Sequence, residues 1–184
     1  MTTGPIHHRA AVLTVSDLGA RGEREDTAGP AVVAMLEGAG FEVAERAIVP
    51  DDPDVIEERL VRWSEQGVRV VLTAGGTGLT ARDHTPQATL RAIDYRVPGM
   101  EEAMRAASIA VVPTAMLSRG VVGVRGRTLI VNLPGSERAA RENLQVILGV
   151  LDHACDQLAG DAADVAAVHQ RLQDGGGGAP GAGA

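Results

Sequence analysis

Residues 70–86 read VVLTAGGTGLTARDHTP, and this stretch decides the fold and locates the chemistry. An apolar, β-branched run of strand length ends abruptly at three glycines and a threonine. Glycine lets backbone N–H groups approach an anionic ligand closely, whereas the carboxylate that follows, Asp83, repels a bare phosphate. A divalent cation between the carboxylate and the phosphate would remove that conflict. The stretch therefore predicts a nucleotide or phosphate site with a magnesium partner.

The bulk composition bounds the class of protein. The chain has 184 residues, of which 45% are hydrophobic and only 2% aromatic, so we expect one domain with an aliphatic core. Its single cysteine, Cys155, excludes an internal disulfide and indicates a reducing compartment. We find no secretion signal and no apolar run of membrane-spanning length. A cytoplasmic protein without a membrane partner is therefore expected.

The charged residues exclude two further classes of protein. The net charge of −7 and the scarcity of aromatic rings argue against nucleic-acid binding, which favours a basic stripe or stacking rings. All 17 basic residues are arginine. A Walker-type phosphate loop needs its lysine and is thereby excluded. Phosphate charge must be met by backbone N–H groups, arginine or metal.

The body of the chain alternates between strands and helices. We expect a loose leader over residues 1–8, a single domain over 9–160, and a tail over 161–184 that holds a short helix, Ala162–Leu172, before a disordered Gly/Ala-rich end. Alternation within the body predicts a three-layer α/β fold, with an open, mostly parallel sheet and helices on both faces. The predicted strands are Ala10–Val15, Glu42–Val49, Val68–Thr73, Val121–Val124 and Thr128–Leu133.

Three local details follow from the same patterns. Val43, Ala47 and Val49 are expected on one face of the second strand. Thr85 is expected to cap a helix over Pro86–Ile93, with Pro86 in the first helical position. The last two strands, which flank Arg125-Gly126-Arg127, are expected to form a hairpin or two neighbouring strands.

Four polar or glycine-rich clusters each follow a predicted strand. They are Ser16-Asp17, Pro50-Asp51-Asp52, Gly75 to Asp83, and Asn132 to Ser136. In open α/β sheets, ligands bind at the carboxyl ends of the strands. Four clusters at that one edge predict a binding site more strongly than scattered turns would.

Each cluster also has a purely structural interpretation. Asp52-Pro53 is a good helix cap with a first-turn proline, which leaves Asp51 free to point at the edge. Ser136 is a candidate cap, and a capped helix start also binds phosphate. For Asp17, a turn acid and a ligand remain equally open, whereas the place of Asp83 after the glycines favours function.

Two other sequence patterns are not interpreted as functional. The run Arg21 to Asp26 is expected to be a solvated, mobile loop. Gly76 to Ala81 fits the dinucleotide pattern G-x-G-x-x-A, but it follows the third strand, and no acid ends a strand about 20 residues later. A nicotinamide dehydrogenase is therefore discounted.

Six motifs in order resemble the molybdopterin adenylyltransferases of molybdenum-cofactor biosynthesis, the MogA/MoaB type. The resemblance runs from Ser16-Asp17 to the last helix and includes the glycine loop. The other matching motifs are Asp26-Thr27-Ala28-Gly29-Pro30, Ile48-Val49-Pro50-Asp51-Asp52, Pro98-Gly99, Ala115-Met116-Leu117-Ser118-Arg119 and Asn132-Leu133-Pro134-Gly135-Ser136.

The resemblance implies a trimeric α/β protein that uses ATP and Mg²⁺ to transfer AMP to the terminal phosphate of molybdopterin and releases pyrophosphate. A downstream molybdenum-insertion protein is a candidate partner. The resemblance also implies that Asp51 and Asp83 are the catalytic, metal-holding carboxylates. Phosphate and nucleotide binding would fall to Gly75, Gly76, Thr77, Gly78, Pro134, Gly135 and Ser136. Molybdopterin binding would fall to Ser16, Asp17, Ser118, Arg119 and Asn132.

The chemistry of this transfer explains why no strong base is needed. A phosphate monoester has a second pKa of about 6, so the attacking group is already largely anionic at neutral pH. We therefore expect Asp51 and Asp83 to hold magnesium rather than to abstract a proton. The alternative is a binding-only paralogue that carries molybdopterin, but a carrier would not need these two acids.

Overall fold

The computed structural model describes residues 8–160. The predicted leader, apart from His8, and the predicted tail with its helix Ala162–Leu172 lie outside the described residues. The described elements are, in chain order, β1 (Arg9–Val15), α1 (Asp17–Ala20), α2 (Ala28–Gly38), β2 (Glu42–Val49), α3 (Pro53–Glu65), β3 (Val70–Ala74), α4 (Thr85–Ala92), β4 (Tyr95–Arg96), α5 (Pro98–Val111), a 3₁₀ turn (Pro113–Leu117), β5 (Val122–Arg125), β6 (Thr128–Leu133) and α6 (Glu137–Ala159).

One mixed sheet organises these elements, with strand order β2-β1-β3-β6-β5-β4. The β1, β2, β3 and β6 strands run parallel, while β5 is antiparallel to both β6 and β4. All residues of β3 and β6 are buried, as expected for central parallel strands covered on both faces. The prediction of an open, mostly parallel sheet is confirmed, and β5 and β6 form the expected hairpin.

Two aliphatic cores lie on opposite faces of the sheet. On one face, Val12, Leu72 and Val131 pack with residues from α2, α5 and α6. On the other face, Leu13 and Val71 pack with residues from α3 and α4, where Trp63 is the largest buried side chain. Neighbouring residues of one strand thus enter different cores, because side chains alternate across a sheet. The three-layer arrangement follows.

The prediction that Val43, Ala47 and Val49 share one face of β2 is wrong for Val43. The register between β1 and β2 shifts after Ala10, which pairs with Val43, so that Ala11 pairs with Glu45. The extra residue, Ala44, reverses the side-chain alternation, as a β-bulge does. Val43 therefore packs against the core beside α2, whereas Ala47 and Val49 join the opposite core.

The two ends of the described chain are joined by a histidine and the last helix. His8, expected in the leader, is 8% exposed, and its Nε2 lies 3.0 Å from Asp156 Oδ1 and 3.5 Å from Asp152 Oδ1. The His8 backbone carbonyl also accepts a hydrogen bond from Glu42 N–H. The ordered domain therefore begins before β1. Within residues 8–160, no helix combines the length and apolarity needed to span a membrane.

The buried thiol of Cys155 gives a test of the packing. Burial, together with the negative charges of Asp152 and Asp156, raises the pKa of this thiol to about 12. The thiolate is the reactive form, so the folded protein should be almost unreactive toward a thiol reagent from neutral pH to about pH 9.

In denaturant the same cysteine should react with one equivalent of reagent, because its pKa returns to the ordinary range. Labelling followed by intact-mass spectrometry makes the comparison. Rapid modification of the native protein at neutral pH would contradict the packing of α6.

Candidate functional site

The glycine loop lies where three parallel strands end side by side. Gly75 adopts a φ of +111°, and a Cβ at this position would stand 2.3 Å from the Val15 carbonyl oxygen. Its N–H donates to the Leu133 carbonyl at 3.1 Å. A Cβ on Gly135 would lie only 3.2 Å from Gly75 Cα. The backbones at the ends of β1, β3 and β6 are thus in direct contact. They lie at the crevice where the strand order reverses.

The ends of β1 and β2 are joined by two aspartates that bind each other's backbone. Asp17 N–H donates to Asp51 Oδ2 at 2.8 Å, and Asp51 N–H donates to Asp17 Oδ1 at 3.0 Å. Asp52 caps α3 as predicted. Asp51, which was expected to point freely at the sheet edge, instead has one carboxylate oxygen bonded to Asp17 N–H. The second oxygen, Asp51 Oδ1, faces Gly76, where a Cβ would lie 3.3 Å away.

The carboxylates around the glycine loop differ in acidity. Burial raises the pKa of Asp51, and the negative charges of Asp17 and Asp83 act in the same direction. The pKa of Asp17 is lowered by the hydrogen bond from Asp51 N–H and by the Arg82 guanidinium. For Asp83, burial acts to raise the pKa, but hydrogen bonds from Thr80 and Gly78 outweigh it and lower the pKa. A cation at this place would relieve the repulsion that Asp51 experiences.

Arg119 fixes the shape of the glycine loop. Its guanidinium donates to the Gly78 carbonyl at 2.7 Å and to the Asp83 carbonyl at 2.6 Å, and its N–H donates to the Thr77 carbonyl at 3.0 Å. Thr80 N–H in turn donates to Asp83 Oδ2 at 2.7 Å. Arg119 was predicted as a molybdopterin ligand, yet its guanidinium here binds the loop that carries Asp83.

The prediction that Thr85 caps the following helix is wrong. Helix α4 begins at Thr85 itself, with His84 in the capping position and no side-chain cap. The buried Thr85 hydroxyl donates to the Gly75 carbonyl at 2.8 Å, and Thr85 N–H donates to the Gly76 carbonyl at 3.2 Å. The threonine therefore holds the first two residues of the glycine loop. Only the folded loop brings these groups within reach.

Two clefts lie on either side of the glycine loop. The acidic cleft, of about 510 Å³, is lined by Ser16, Asp26, Asp51, Gly75, Gly76 and Ser136, among others. The aliphatic cleft, of about 250 Å³, is lined by Thr77, Gly78, Met104, Leu117, Ser118 and Pro134, among others. The glycine loop and the loop after β6 contribute to both clefts. They therefore form a shared wall of backbone between two binding spaces.

The remaining predicted site residues have structural partners of their own. Ser16 accepts from Gly19 N–H at the start of α1, and Ser136 accepts from Ala139 N–H at the start of α6. Ser118 Oγ accepts from Gly120 N–H at the edge of the aliphatic cleft. The buried Asn132 amide donates to the hydroxyls of Thr73 and Thr89 and accepts from Val121 N–H. Asn132 thus presents a lining surface with its polar atoms already bonded.

Two residues at this edge escaped the sequence interpretation. Asp26, expected in a solvated loop, has a side chain only 4% exposed and accepts from the Thr14 hydroxyl and from Gly29 N–H. Its position three residues before a helical N–H is a recognisable capping signal. Arg82 donates from Nε to Asp17 Oδ2 at 2.8 Å, which links the glycine loop to the end of β1. No local sequence pattern predicts the pairing of Arg82 with Asp17, because the two residues are 65 positions apart in the chain.

The residues present fit a magnesium ion only if the substrate supplies further ligands. Within residues 8–160 no group of three or more His, Cys, Asp or Glu side chains is arranged to hold a metal. Asp51 and Asp83 nevertheless act electrostatically on each other across the glycine loop. Mg²⁺ is commonly held by one or two carboxylates together with substrate phosphates. The donor set is therefore compatible with a phosphate-bound magnesium ion.

This sheet, with polar loops at the carboxyl ends of its parallel strands, is a doubly wound α/β domain, a class that binds its ligands at this edge. Residues 11–153 match the family model described as "Probable molybdopterin binding domain". The chain belongs to that family.

Named relatives agree with this assignment. The molybdopterin adenylyltransferase of Helicobacter pylori strain J99 is 37% identical over 82% of this chain and 87% of its own. The crystal structure of the molybdopterin biosynthesis enzyme MoaB from Thermus thermophilus is 50% identical, with a TM-score of 0.79 over 84% of this chain and 98% of that one. These comparisons support the expectation of a nucleotidyltransferase.

A longer relative is matched only in part. The Drosophila melanogaster molybdenum cofactor synthesis protein cinnamon is 39% identical over 88% of this chain. The match covers 27% of that protein, so the chain spans about a quarter of its length.

Arg119→Lys tests whether the guanidinium holds the glycine loop. A lysine keeps the charge but offers one nitrogen in place of the two, Nε and Nη2, that arginine holds in a rigid plane against the two carbonyl oxygens. We expect faster amide hydrogen exchange over residues 76–84 with little change elsewhere. Arg127→Lys, at an exposed turn position, is the matched control. Unchanged exchange in the glycine loop of Arg119→Lys would contradict the assignment.

Proposed function

We propose that this protein is a molybdopterin adenylyltransferase that uses ATP and Mg²⁺ to transfer AMP to the terminal phosphate of molybdopterin, with release of pyrophosphate. The observation that carries the proposal is the shared wall of glycine backbone between two clefts, with Asp51 and Asp83 beside it. The Helicobacter relative is named for this reaction, and the Thermus structure is named for molybdopterin biosynthesis.

The arrangement suits a reaction between two phosphates. Adenylyl transfer requires the terminal phosphate of one substrate to meet the α-phosphate of the other. If the two organic moieties occupy opposite clefts, their phosphates converge on the backbone of Gly75 to Gly78 and Pro134 to Ser136. Both loops contribute residues to both clefts. The two loops would thereby hold the reacting atoms in a fixed relative position.

The protein's own contribution is orientation and charge stabilisation. Backbone N–H groups of the glycine loop and the start of α6 offer donors to phosphate oxygens without side-chain entropy loss. The attacking phosphate is already anionic, so no residue needs to remove its proton. Asp51 and Asp83 would hold Mg²⁺, which when bound screens the negative charges that develop at the phosphates. In the transfer, the new P–O bond forms at the α-phosphorus as the bond to pyrophosphate breaks.

The predicted molybdopterin ligands divide into two kinds under this proposal. Ser118 lines the aliphatic cleft and Ser16 lines the acidic cleft, so the two hydroxyls face different substrates if the two substrates occupy opposite clefts. Asp17, Arg119 and Asn132 are committed to backbone or side-chain partners and would shape the site around the ligand. We propose contact roles for the serines and supporting roles for the other three.

We also propose a homotrimer, as the family resemblance implies, in the cytoplasm. Aliphatic side chains on α5, the 3₁₀ turn and α6 are exposed, including Val111, Val112, Met116, Val146 and Val150. Exposed aliphatic side chains on elements that pack together, as α5 does with α6 and with the 3₁₀ turn, are typical of protein interfaces. The cytoplasmic location accords with the single unpaired Cys155. A molybdenum-insertion protein remains a candidate recipient of the product.

Asp83→Asn separates catalysis from binding. The asparagine can still accept from Thr80 N–H, so the loop should keep its shape while losing its metal-holding charge. We expect adenylyl transfer to fall by on the order of a hundredfold, with only a modest loss of molybdopterin affinity. The assay follows adenylylated pterin and pyrophosphate from molybdopterin, ATP and Mg²⁺.

Asp54→Asn, at an exposed position on α3, is the control and should leave turnover unchanged. Undiminished turnover of Asp83→Asn at saturating Mg²⁺ would overturn the role of Asp83. Tight molybdopterin binding by the wild type without product would instead indicate a binding-only carrier.

A further inference from the structure

The Arg82 side chain links the glycine loop to Asp17, close to the two carboxylates proposed to hold Mg²⁺. It begins beside Asp83 on the glycine loop and ends on Asp17 Oδ2, to which Nε donates at 2.8 Å. Asp17 is itself bonded to the backbone of Asp51. The guanidinium also acts electrostatically on Asp51, where it opposes burial and favours the charged carboxylate. Arg82 therefore ends on Asp17, whose chain neighbour Ser16 and hydrogen-bond partner Asp51 both line the acidic cleft.

The ion pair that holds Arg82 is easily exchanged. The Arg82 side chain is 63% exposed, and its Asp17 partner is 24% exposed. Ion pairs at this exposure contribute little to stability, because water and salt screen them. A phosphate offers more negative charge than one carboxylate and matches the bidentate geometry of the guanidinium. Transfer from Asp17 to a polyphosphate is therefore favoured.

The site has a specific need for such a cation. The chain contains no lysine, so the phosphate-binding lysine of many nucleotide sites is absent. Arg119 is fastened to the Gly78 and Asp83 carbonyls and cannot leave without loosening the loop. Arg46 is paired with the nearly buried Asp26. Arg24 also lines the acidic cleft, whereas Arg82 combines exposure and a weakly held partner with an electrostatic effect on Asp51.

We propose that Arg82 is a catalytic residue that exchanges Asp17 for the polyphosphate of ATP and binds the leaving pyrophosphate. The inference rests on the proposed adenylyl transfer and adds a residue to it. As the bond between the α-phosphorus and the bridging oxygen breaks, both electrons go to pyrophosphate. The Arg82 guanidinium neutralises part of that charge and transfers no proton. Asp17 acts as the resting partner that keeps the guanidinium in place before the nucleotide arrives.

The decisive feature is that Asp17 competes with the phosphate, so substitutions of the two partners have opposite effects. Arg82→Gln removes the phosphate contact and should weaken ATP binding about tenfold. Asp17→Asn keeps the acceptor for Asp51 N–H but releases Arg82, and should tighten ATP binding. Isothermal titration with ATP and with inorganic pyrophosphate, each in Mg²⁺, gives both dissociation constants.

The control variant is Arg91→Gln, because Arg91 is also an exposed arginine with carboxylate partners but lies on the far end of α4. Its ATP affinity should equal that of the wild type. In the Asp17→Asn background, Arg82→Gln should cost more affinity than in the wild type, because no competitor remains. That non-additivity is what partner exchange requires.

A purely structural ion pair gives a different pattern. If Arg82 and Asp17 only hold the loops together, both single variants weaken ATP binding and the double variant resembles either one. That result overturns the inference, as does an unchanged affinity in Arg82→Gln. Absence of any ATP or pyrophosphate binding by the wild type contradicts the proposed function itself and removes the inference with it.

Discussion

The close approach of Gly75 to the backbone of β1 and β6 is the constraint on which the site depends. There is room for a hydrogen at this Cα and none for a methyl group, since a Cβ would stand 2.3 Å from the Val15 carbonyl. Gly135, which follows β6, approaches the Gly75 Cα from the other side of the loop's backbone, since a Cβ on Gly135 would lie 3.2 Å from that atom. Because three strand ends converge without intervening side chains, the backbone of Gly75, Gly76 and Gly135 lines the acidic cleft directly. A phosphate can then be held without a lysine.

The second organising feature is the balance of charge around that surface. Asp17, Asp51 and Asp83 bring three carboxylates to one edge, and their repulsion contributes to the raised pKa of Asp51. Two arginines compensate in different ways. Arg119 is fastened to loop carbonyls and fixes geometry, whereas Arg82 sits in an exposed ion pair that is readily exchanged. A site built like this accepts polyphosphate best when a divalent cation accompanies it.

Local sequence rules predicted the framework because each rule depends on nearby residues. Strand β3 is apolar except for Thr73 and is buried throughout, and Asp52 and Ser136 cap their helices as the spacing indicated. The rules failed where a distant contact decided the outcome. The bulge in β2 moved Val43 to the other core, and Thr85 used its hydroxyl on the Gly75 carbonyl instead of a cap. The roles given to individual site residues remain predictions.

The sequence by itself determined the α/β class, the parallel core and the strand-end position of the polar clusters, because hydrophobic periodicity and turn residues act over a few positions. Only the tertiary structure decided how those clusters meet. The Asp17–Asp51 interlock and the Arg82–Asp17 pair join residues 34 and 65 positions apart. Such contacts depend on strand order and register, which no local pattern encodes. The division of the edge into two clefts follows from that same packing.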